Sequence, residues 1–231
     1  MKIISFESAR VTRLFPLEEF APAAGANSPS VLSLIAQRYG FKIVPNITSR
    51  EDLNKNGLIF GMGHFQHESQ PFVISDFAIY TDGLAAVAER SEWADAFLED
   101  VTSWVRSEFG FRDIASGVRR LYSSTIVVDF DTSPLMLLRS FESIVELISS
   151  RTITIVPGRQ PMKFARLDFE IDKKELPGQA AGSKFVIERR ANIGFEQERY
   201  FSSAPMTTSH HVQTLEEIER IAAGALANAQ R

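Results

Sequence analysis

Residues 28–45 read SPSVLSLIAQRYGFKIVP, and residues 133–157 read SPLMLLRSFESIVELISSRTITIVP. Each stretch opens with a Ser-Pro pair, in which the serine can cap a helix and the proline can occupy its first position without losing a hydrogen bond. The apolar residues that follow recur at the three and four spacing of a helix. Each stretch closes on Ile-Val-Pro, which is typical of the end of a strand. The two stretches therefore predict helices over 29–39 and 134–149, each followed by a short strand.

The neighbouring sequence adds two helices and the remaining strands. An apolar stripe that includes both tryptophans and ends at Gly110 predicts a helix over 92–109. Thr214 and Glu217 fit a capping box and predict a terminal helix over 214–229. Alternating apolar and charged residues, together with Asp-Gly and Asn-Ile-Gly turns, indicate strands. The predicted strands are 3–15, 41–45, 58–65, 72–80, 84–90, 118–130, 152–156, 162–172, 184–190 and 195–201.

The predicted elements occur in the same order twice. One strand, one helix, four strands and one helix fill residues 1–112, and the same list fills residues 113–231, which predicts an internally duplicated α+β chain that forms one continuous unit. In this order the chain resembles the fold of the TATA-box-binding protein family. The resemblance implies a long curved antiparallel sheet with helices on one face, and it carries over none of that family's functional residues. A helix-grip fold, with a long helix inside a bent sheet around a ligand, is the alternative.

The composition excludes several classes of chemistry. The 231 residues include no cysteine, which excludes disulfides, thiolate metal sites, iron–sulfur clusters and catalytic thiols. No uncharged apolar run approaches the roughly 18 residues of a membrane span, and Glu7 and Arg10 interrupt the apolar core that a secretory signal requires. We therefore expect a soluble, cytoplasmic protein with no cofactor and no metal. The net charge of −4 is uneven, because residues 1–110 carry a net −5 and residues 111–231 a net +1.

Histidine is the first candidate for acid–base or metal chemistry, and the chain has four. His64 and His67 lie at the end of a predicted strand, where a spacing of three puts the two rings on opposite faces unless a loop intervenes. No carboxylate at a diagnostic spacing completes a metal site there. His210 and His211 lie in a polar connector, where we expect them to be solvated. No hydrolase or nucleotide-binding motif is present, so no catalytic residue is predicted.

Basic and aromatic residues of the second half are candidates for a binding surface. Arg166 shares a strand face with carboxylates, and Arg189 and Arg190 lie near glutamates. This alternation predicts cross-strand ion pairs rather than a basic face for nucleic acid. Tyr200 is a candidate anchor for a partner, if it is exposed on the last hairpin. Most other aromatic residues fall on apolar stripes and are expected in the core.

The leading hypothesis is a non-enzymatic module for protein interaction or assembly, which acts through the uncovered sheet face or the edge strands. Its partner would be another protein or a second copy of the chain. One alternative is a small-molecule-binding or enzymatic domain with a pocket between sheet and helices, near His64 and His67. A second alternative is nucleic-acid binding through the second half, which would depend on Arg189 and Arg190.

Overall fold

Eight strands form one antiparallel sheet in the computed structural model, which describes residues 1–20, 29–45, 57–155, 162–170 and 184–229. The strands are β1 Lys2–Leu14, β2 Leu58–His67, β3 Gln70–Tyr80, β4 Gly83–Ala88, β5 Arg119–Asp129, β6 Arg166–Glu170, β7 Lys184–Arg189 and β8 Arg199–Ala204. Their order across the sheet is β2-β3-β4-β1-β5-β8-β7-β6. The long β1 and β5 pair at the centre, and β2 and β6 form the two edges.

Five α-helices and two 3₁₀ segments accompany the sheet in the described part of the chain. The helices are α1 Leu17–Phe20, α2 Pro29–Arg38, α3 Ser91–Phe109, α4 Glu142–Ile155 and α5 Thr208–Ala229, and the 3₁₀ segments are Pro134–Phe141 and Phe195–Gln197. The predicted α+β class and the long antiparallel sheet are confirmed. The first Ser-Pro helix ends one residue before its predicted end, and its capping Ser28 lies outside the described residues.

One predicted strand of the first half is absent as a strand. The sequence at 41–45 forms only an isolated bridge between Ile43 and Gly61. The Ile43 side chain lies over Gly61, where an added Cβ would be 3.0 Å from its Cδ1 atom. Residues 41–45 therefore cover part of the β2 edge without extending the sheet.

The second Ser-Pro helix differs more from its prediction. It begins as a 3₁₀ helix at Pro134, becomes α4 at Glu142 and continues through most of the strand predicted at 152–156. The β-branched residues there favour a strand, but no glycine or proline interrupts the helical run. Thr152 also donates a hydrogen bond to the carbonyl of Ile148 at 2.7 Å, which fits helical geometry. The strand propensity of these residues is a weak constraint, and the preceding helix continues through them instead.

The terminal helix begins six residues before the predicted Thr214. Its first residue, Thr208, meets the first residue of α3, Ser91. The Ser91 hydroxyl accepts from the Thr208 N–H at 2.7 Å, and the Thr208 hydroxyl accepts from the Ser91 N–H at 2.9 Å. Each helix start is thus capped by the other helix, a contact that a local sequence pattern does not contain.

The helices α3 and α5 lie on the same face of the sheet. Tyr122 and Ser124 are two residues apart on β5 and so point to one face. The Tyr122 hydroxyl is 3.5 Å from Asp95 of α3, and the Ser124 hydroxyl is 2.8 Å from His211 of α5. The apolar core clusters of the first and second halves lie on this face. The opposite face is here called the open face.

The core of the first half is built largely from aromatic rings. Phe97 of α3 is fully buried, and its ring makes edge contacts with Tyr39, Phe41, Phe65 and Phe77 at 4.9 to 6.2 Å. The second-half cluster has fewer described members. It comprises Ile126, Val128, Phe130, Leu135, Ile187, Tyr200 and Leu215. The expectation that aromatic residues form the core is therefore met best in the first half.

The predicted Asp-Gly hairpin between β3 and β4 is confirmed. Gly83 has a φ of 147°, and an added Cβ would lie 2.0 Å from the carbonyl oxygen of Arg13 on the neighbouring strand. Only glycine fits this position without a backbone shift. The hairpin between β2 and β3 turns at Glu68 and Ser69, which both have positive φ, as a type I′ turn requires.

Candidate interaction surfaces

The two histidines predicted as candidate site residues of the first half lie in the C-terminal half of β2. His64 and His67 are both exposed, and the His67 Nε2 atom is 3.8 Å from a carboxylate oxygen of Glu68. The backbone N–H of His64 donates to the carbonyl of Tyr39 at 2.7 Å. Within the described ranges, no three His, Asp or Glu residues are grouped in a way that could hold a metal ion.

The space beneath the first-half sheet is nearly filled. A cavity of about 30 Å³ lies among apolar side chains of the sheet, α2 and α3. This volume suits about one water molecule, whereas small-molecule pockets usually measure about 300 to 1,000 Å³. The cavity therefore gives no support to the alternative of a ligand pocket behind His64 and His67.

Arg166 lies on the edge strand β6, among carboxylates. Its guanidinium is 2.8 Å from Asp168 and 3.4 Å from Glu188, and Lys184 is 3.3 Å from Glu170. The predicted cross-strand ion pairs are confirmed. Because these cations are already paired, this part of the open face does not form the unbroken basic surface that nucleic-acid phosphates require.

Arg189 and Tyr200 are brought together by Glu198. Arg189 donates to both carboxylate oxygens of Glu198 at 2.8 and 3.0 Å, and the Tyr200 hydroxyl donates to Glu198 at 2.5 Å. Ser133 completes the group, with its hydroxyl 2.8 Å from that of Tyr200. Tyr200 is fully buried, so the expectation of an exposed anchor is wrong. Tyr200 is opposite Val128 of β5 in the strand register, and both side chains belong to the buried second-half cluster.

The ionisation of this group is fixed by its contacts. Burial and the hydrogen bond to Glu198 raise the pKa of Tyr200, so its hydroxyl stays protonated. Burial alone would raise the pKa of Glu198, but the bonds from Arg189 and Tyr200 outweigh it and lower that pKa. The cluster is therefore a polar network that ties β7 to β8.

Arg190 does not join this network. It follows β7, is exposed, and lies 3.8 Å from Glu7 on β1. The six predicted site residues thus occupy four separate places. The structure brings only Arg189 and Tyr200 together, and their contacts hold the fold rather than form an open site.

A buried histidine was missed by sequence reasoning. His211 is fully buried between α5 and the sheet, so the expectation that it is solvated is wrong. Ser202 donates to the carbonyl of Val186 at 2.8 Å and therefore accepts from the His211 Nε2 at 2.9 Å. The Nδ1 atom then accepts from Ser124 at 2.8 Å. Burial lowers the pKa of His211 to about 4, so the ring is neutral.

Both edges of the sheet are protected in the described residues. Tyr39 and Ile43 hydrogen bond to β2 at His64 and Gly61. At the other edge the described part of β6, Arg166–Glu170, carries alternating charges. Short, charged or covered edges resist pairing with another strand. The faces of the molecule are therefore better candidates for binding than its edges.

Among the exposed apolar side chains of the described residues, two groups are candidate surfaces. The first, here called the sheet patch, lies beside and on β2 and β3. It consists of Ile43, Ile59, Met62 and Val73, which are 59%, 43%, 47% and 42% exposed. The second, here called the α4 stripe, consists of Phe141, Ile144, Leu147 and Ile148, which are about half exposed. Phe141, as an aromatic residue on an apolar stripe, was expected in the core. The sequence shows that a helix has an apolar side but not what covers it.

Comparisons with known proteins add no functional assignment. The chain matches no protein-family model and no curated protein. None of the described helices combines the length and apolarity needed to cross a membrane. The sheet patch and the α4 stripe are therefore the features that bear on function.

Proposed function

We propose that the protein is a non-enzymatic interaction module, which binds another polypeptide through the sheet patch. The observation that carries this proposal is the difference between the two ends of the open sheet face. At the β6 end, charged side chains are paired across the strands. At the β2 end, Ile59 and Val73 point to the open face, opposite to the buried Phe60 and Phe72. Exposed apolar groups clustered on a face are typical of binding sites.

Charge around the sheet patch supports a partner with basic residues. Asp76 is exposed on β3, directly opposite Gly61 in the strand register. The surrounding half is acidic, with a net charge of −5 over residues 1–110. A partner with apolar side chains flanked by lysine or arginine would complement this surface, and its association would weaken with salt.

The strongly perturbed titratable groups support a structural rather than a catalytic role. Tyr39, Tyr200 and His211 have shifted pKa values, and each is buried in contact with fixed partners. The Tyr39 hydroxyl donates to Asp100 at 2.7 Å, which ties α2 to α3. These shifts therefore have a packing explanation, in which none of the groups needs to face a substrate.

We further infer that residues 1–112 and 113–231 are duplicated units with the topology implied by the resemblance to the TATA-box-binding protein. The strand order supports this inference, because it reads outward as 1-4-3-2 on one side of the β1–β5 pair and 5-8-7-6 on the other. The reciprocal bonds of Ser91 and Thr208, 117 residues apart, also support it. An alignment of homologues should then show matching apolar positions at about that offset. Agreement no better than at random offsets would contradict the duplication.

A double substitution tests the binding proposal. Ile59→Asp with Val73→Asp places two charges on the sheet patch, and Ile221→Asp is a matched control on the exposed side of α5. The tagged chains would be expressed in the cells of origin, and copurifying proteins would be compared by mass spectrometry. We expect a partner that is retained by wild type and control but lost by the double variant. A set of partners that is the same for all three chains would contradict the proposal, provided that circular dichroism shows all three folded.

A further inference from the structure

The helical segment after the second Ser-Pro pair presents an apolar row to the outside. Phe141, Ile144, Leu147 and Ile148 are 50%, 51%, 54% and 47% exposed. By contrast, three apolar residues of α2, the other Ser-Pro helix, are buried in the first-half core. The α4 stripe is therefore an apolar helix side without a matching surface in the described fold.

The spacing of the α4 stripe suits another helix. Residues 141, 144 and 148 follow the i, i+3, i+7 pattern of a coiled-coil seam, with Leu147 beside them. Glu142 and Glu146 fall on the opposite side of the helix at 100° per residue. A seam without carboxylates is the surface that one amphipathic helix presents to a second helix.

A groove between α4 and residues 162–164 adjoins the α4 stripe. Its volume is about 500 Å³, and it is lined by Phe141, Ile144, Val145, Ile148, Met162, Lys163 and Phe164. Lys163 is the one charged residue among the described residues of this wall. Met162 is 37% exposed and extends the apolar area beyond the helix. Side chains of an approaching helix can therefore insert between α4 and the segment that contains Met162.

We propose that the α4 stripe docks against the same stripe of a second copy of this chain in a two-fold dimer. The four side chains of the α4 stripe and that of Met162 offer on the order of 400 to 500 Å² per chain. Two copies together would bury about 800 to 1,000 Å² through these side chains, close to the roughly 1,000 Å² that a specific interface should exceed, and the rim adds to this area. The second copy supplies an identical seam without carboxylates, so the contact is self-complementary and closes after two chains.

The mass of the full chain in solution tests this proposal. Sedimentation velocity between about 1 and 100 μM should show a species of twice the 25.8 kDa chain mass. Ile144→Glu with Ile148→Glu should weaken dimerisation at least 100-fold and leave a monomer over this range. Glu146→Lys, on the opposite side of α4, should leave the dimer intact. Urea unfolding of each monomer checks that the variants still fold.

A cross-link provides a second measurement on a chain without native cysteine. Single variants Ile144→Cys, Leu147→Cys and Ile148→Cys would be oxidised at low concentration, with Glu146→Cys on the opposite side of α4 as the control. We expect a disulfide-linked dimer from at least one stripe position and none from the control. This readout does not require that the glutamate variants fold.

Three outcomes would overturn the proposal. They are a wild-type chain that is monomeric at 100 μM, a dimer that Ile144→Glu with Ile148→Glu leaves unchanged, and a monomer that retains a lipid in native mass spectra. Dimerisation through the α4 stripe does not depend on the partner proposed for the sheet patch. Ile59→Asp with Val73→Asp should therefore leave the dimer intact. A dimer lost through those two substitutions would place the interface on the sheet patch instead.

Discussion

His211 shows how a residue that often takes part in catalysis can serve the fold. Its two ring nitrogens contact Ser124 of β5 and Ser202 of β8, and its backbone belongs to α5. The ring therefore joins two strands and a helix, and its burial favours the neutral form. Protonation would place a charge in this buried site and would require the Ser124 hydroxyl to change from donor to acceptor.

Stability should consequently depend on pH through His211. Its pKa is lowered from 6.5 to about 4 in the folded chain, so the stabilisation is present above pH 6.5 and is lost as the pH falls toward 4. Between pH 8 and pH 5 we expect the wild type to lose about 2 kcal/mol more unfolding free energy than His211→Gln, which does not titrate. Urea unfolding at several pH values measures this difference. His210→Gln should behave as wild type, and an equal pH dependence of wild type and His211→Gln would exclude the assigned role.

Arg189 and Arg190 are adjacent but have opposite environments. Arg189 makes a two-pronged ion pair with Glu198, and their side chains are 15% and 27% exposed. Removing one partner leaves a poorly solvated charge. We expect Arg189→Gln to lower the free energy of unfolding by about 2 kcal/mol.

The matched control for this prediction is Arg190→Gln. Arg190 and Glu7 are 44% and 41% exposed and 3.8 Å apart. Exposed pairs of this kind contribute little, so the expected change is below about 0.5 kcal/mol. Similar costs for the two substitutions in chemical denaturation would show that the Glu198 network does not stabilise the fold.

At the scale of elements, the bounds of helices and strands are predicted best where a residue such as glycine marks the end of the segment. The helix predicted over 92–109 is found at Ser91–Phe109, and Gly110 ends it with a φ of 67° and its N–H bonded to Arg106. The alternating strand predicted over 162–172 is found at Arg166–Glu170, so it begins four residues later than predicted. Its predicted end at 172 lies outside the described residues.

The element predictions fail where distant contacts decide. The terminal helix starts early because Ser91 caps it from another helix. Along the second Ser-Pro helix, Leu135 is buried, Leu138 is half-buried and Phe141 is half exposed. Periodicity predicts one apolar side for this helix, but whether the sheet or a second chain covers that side depends on tertiary and quaternary contacts.

The reciprocal hydrogen bonds that cap α3 and α5 lead to a prediction about the stability of these two helices. Both hydroxyls are buried, so Ser91→Ala or Thr208→Ala would leave a buried N–H without its partner. We expect each substitution to cost about 1 to 2 kcal/mol in urea unfolding. Ser209→Ala, in an exposed neighbour, should cost less than about 0.5 kcal/mol. Equal effects at 91, 208 and 209 would contradict the capping assignment.

At the scale of the molecule, the sequence predicted the kind of sheet but not the character of its open face. Alternation along β6 predicted the ion pairs of the second half, because strand neighbours of opposite charge pair locally. The sheet patch could not be predicted in the same way. Ile43 reaches β2 through a single bridge. Val73 pairs with His64, five residues along β2 from Ile59, so the two side chains come to lie on one face only after β2 and β3 pair. The contrast between a charged end and an apolar end is a property of the assembled sheet.

The central claim is that a partner polypeptide binds the sheet patch, and site-specific photo-cross-linking tests it most directly. A benzoylphenylalanine at position 59 would be compared with one at position 168, at the ion-paired end of the same face, in the cells of origin. The account predicts an adduct with a second protein from position 59 and none from 168. Excess wild-type chain should compete it away, and the Ile59→Asp with Val73→Asp chain should not. No adduct from 59, an adduct of equal yield from 168, or an adduct only between two copies of this chain would contradict the account.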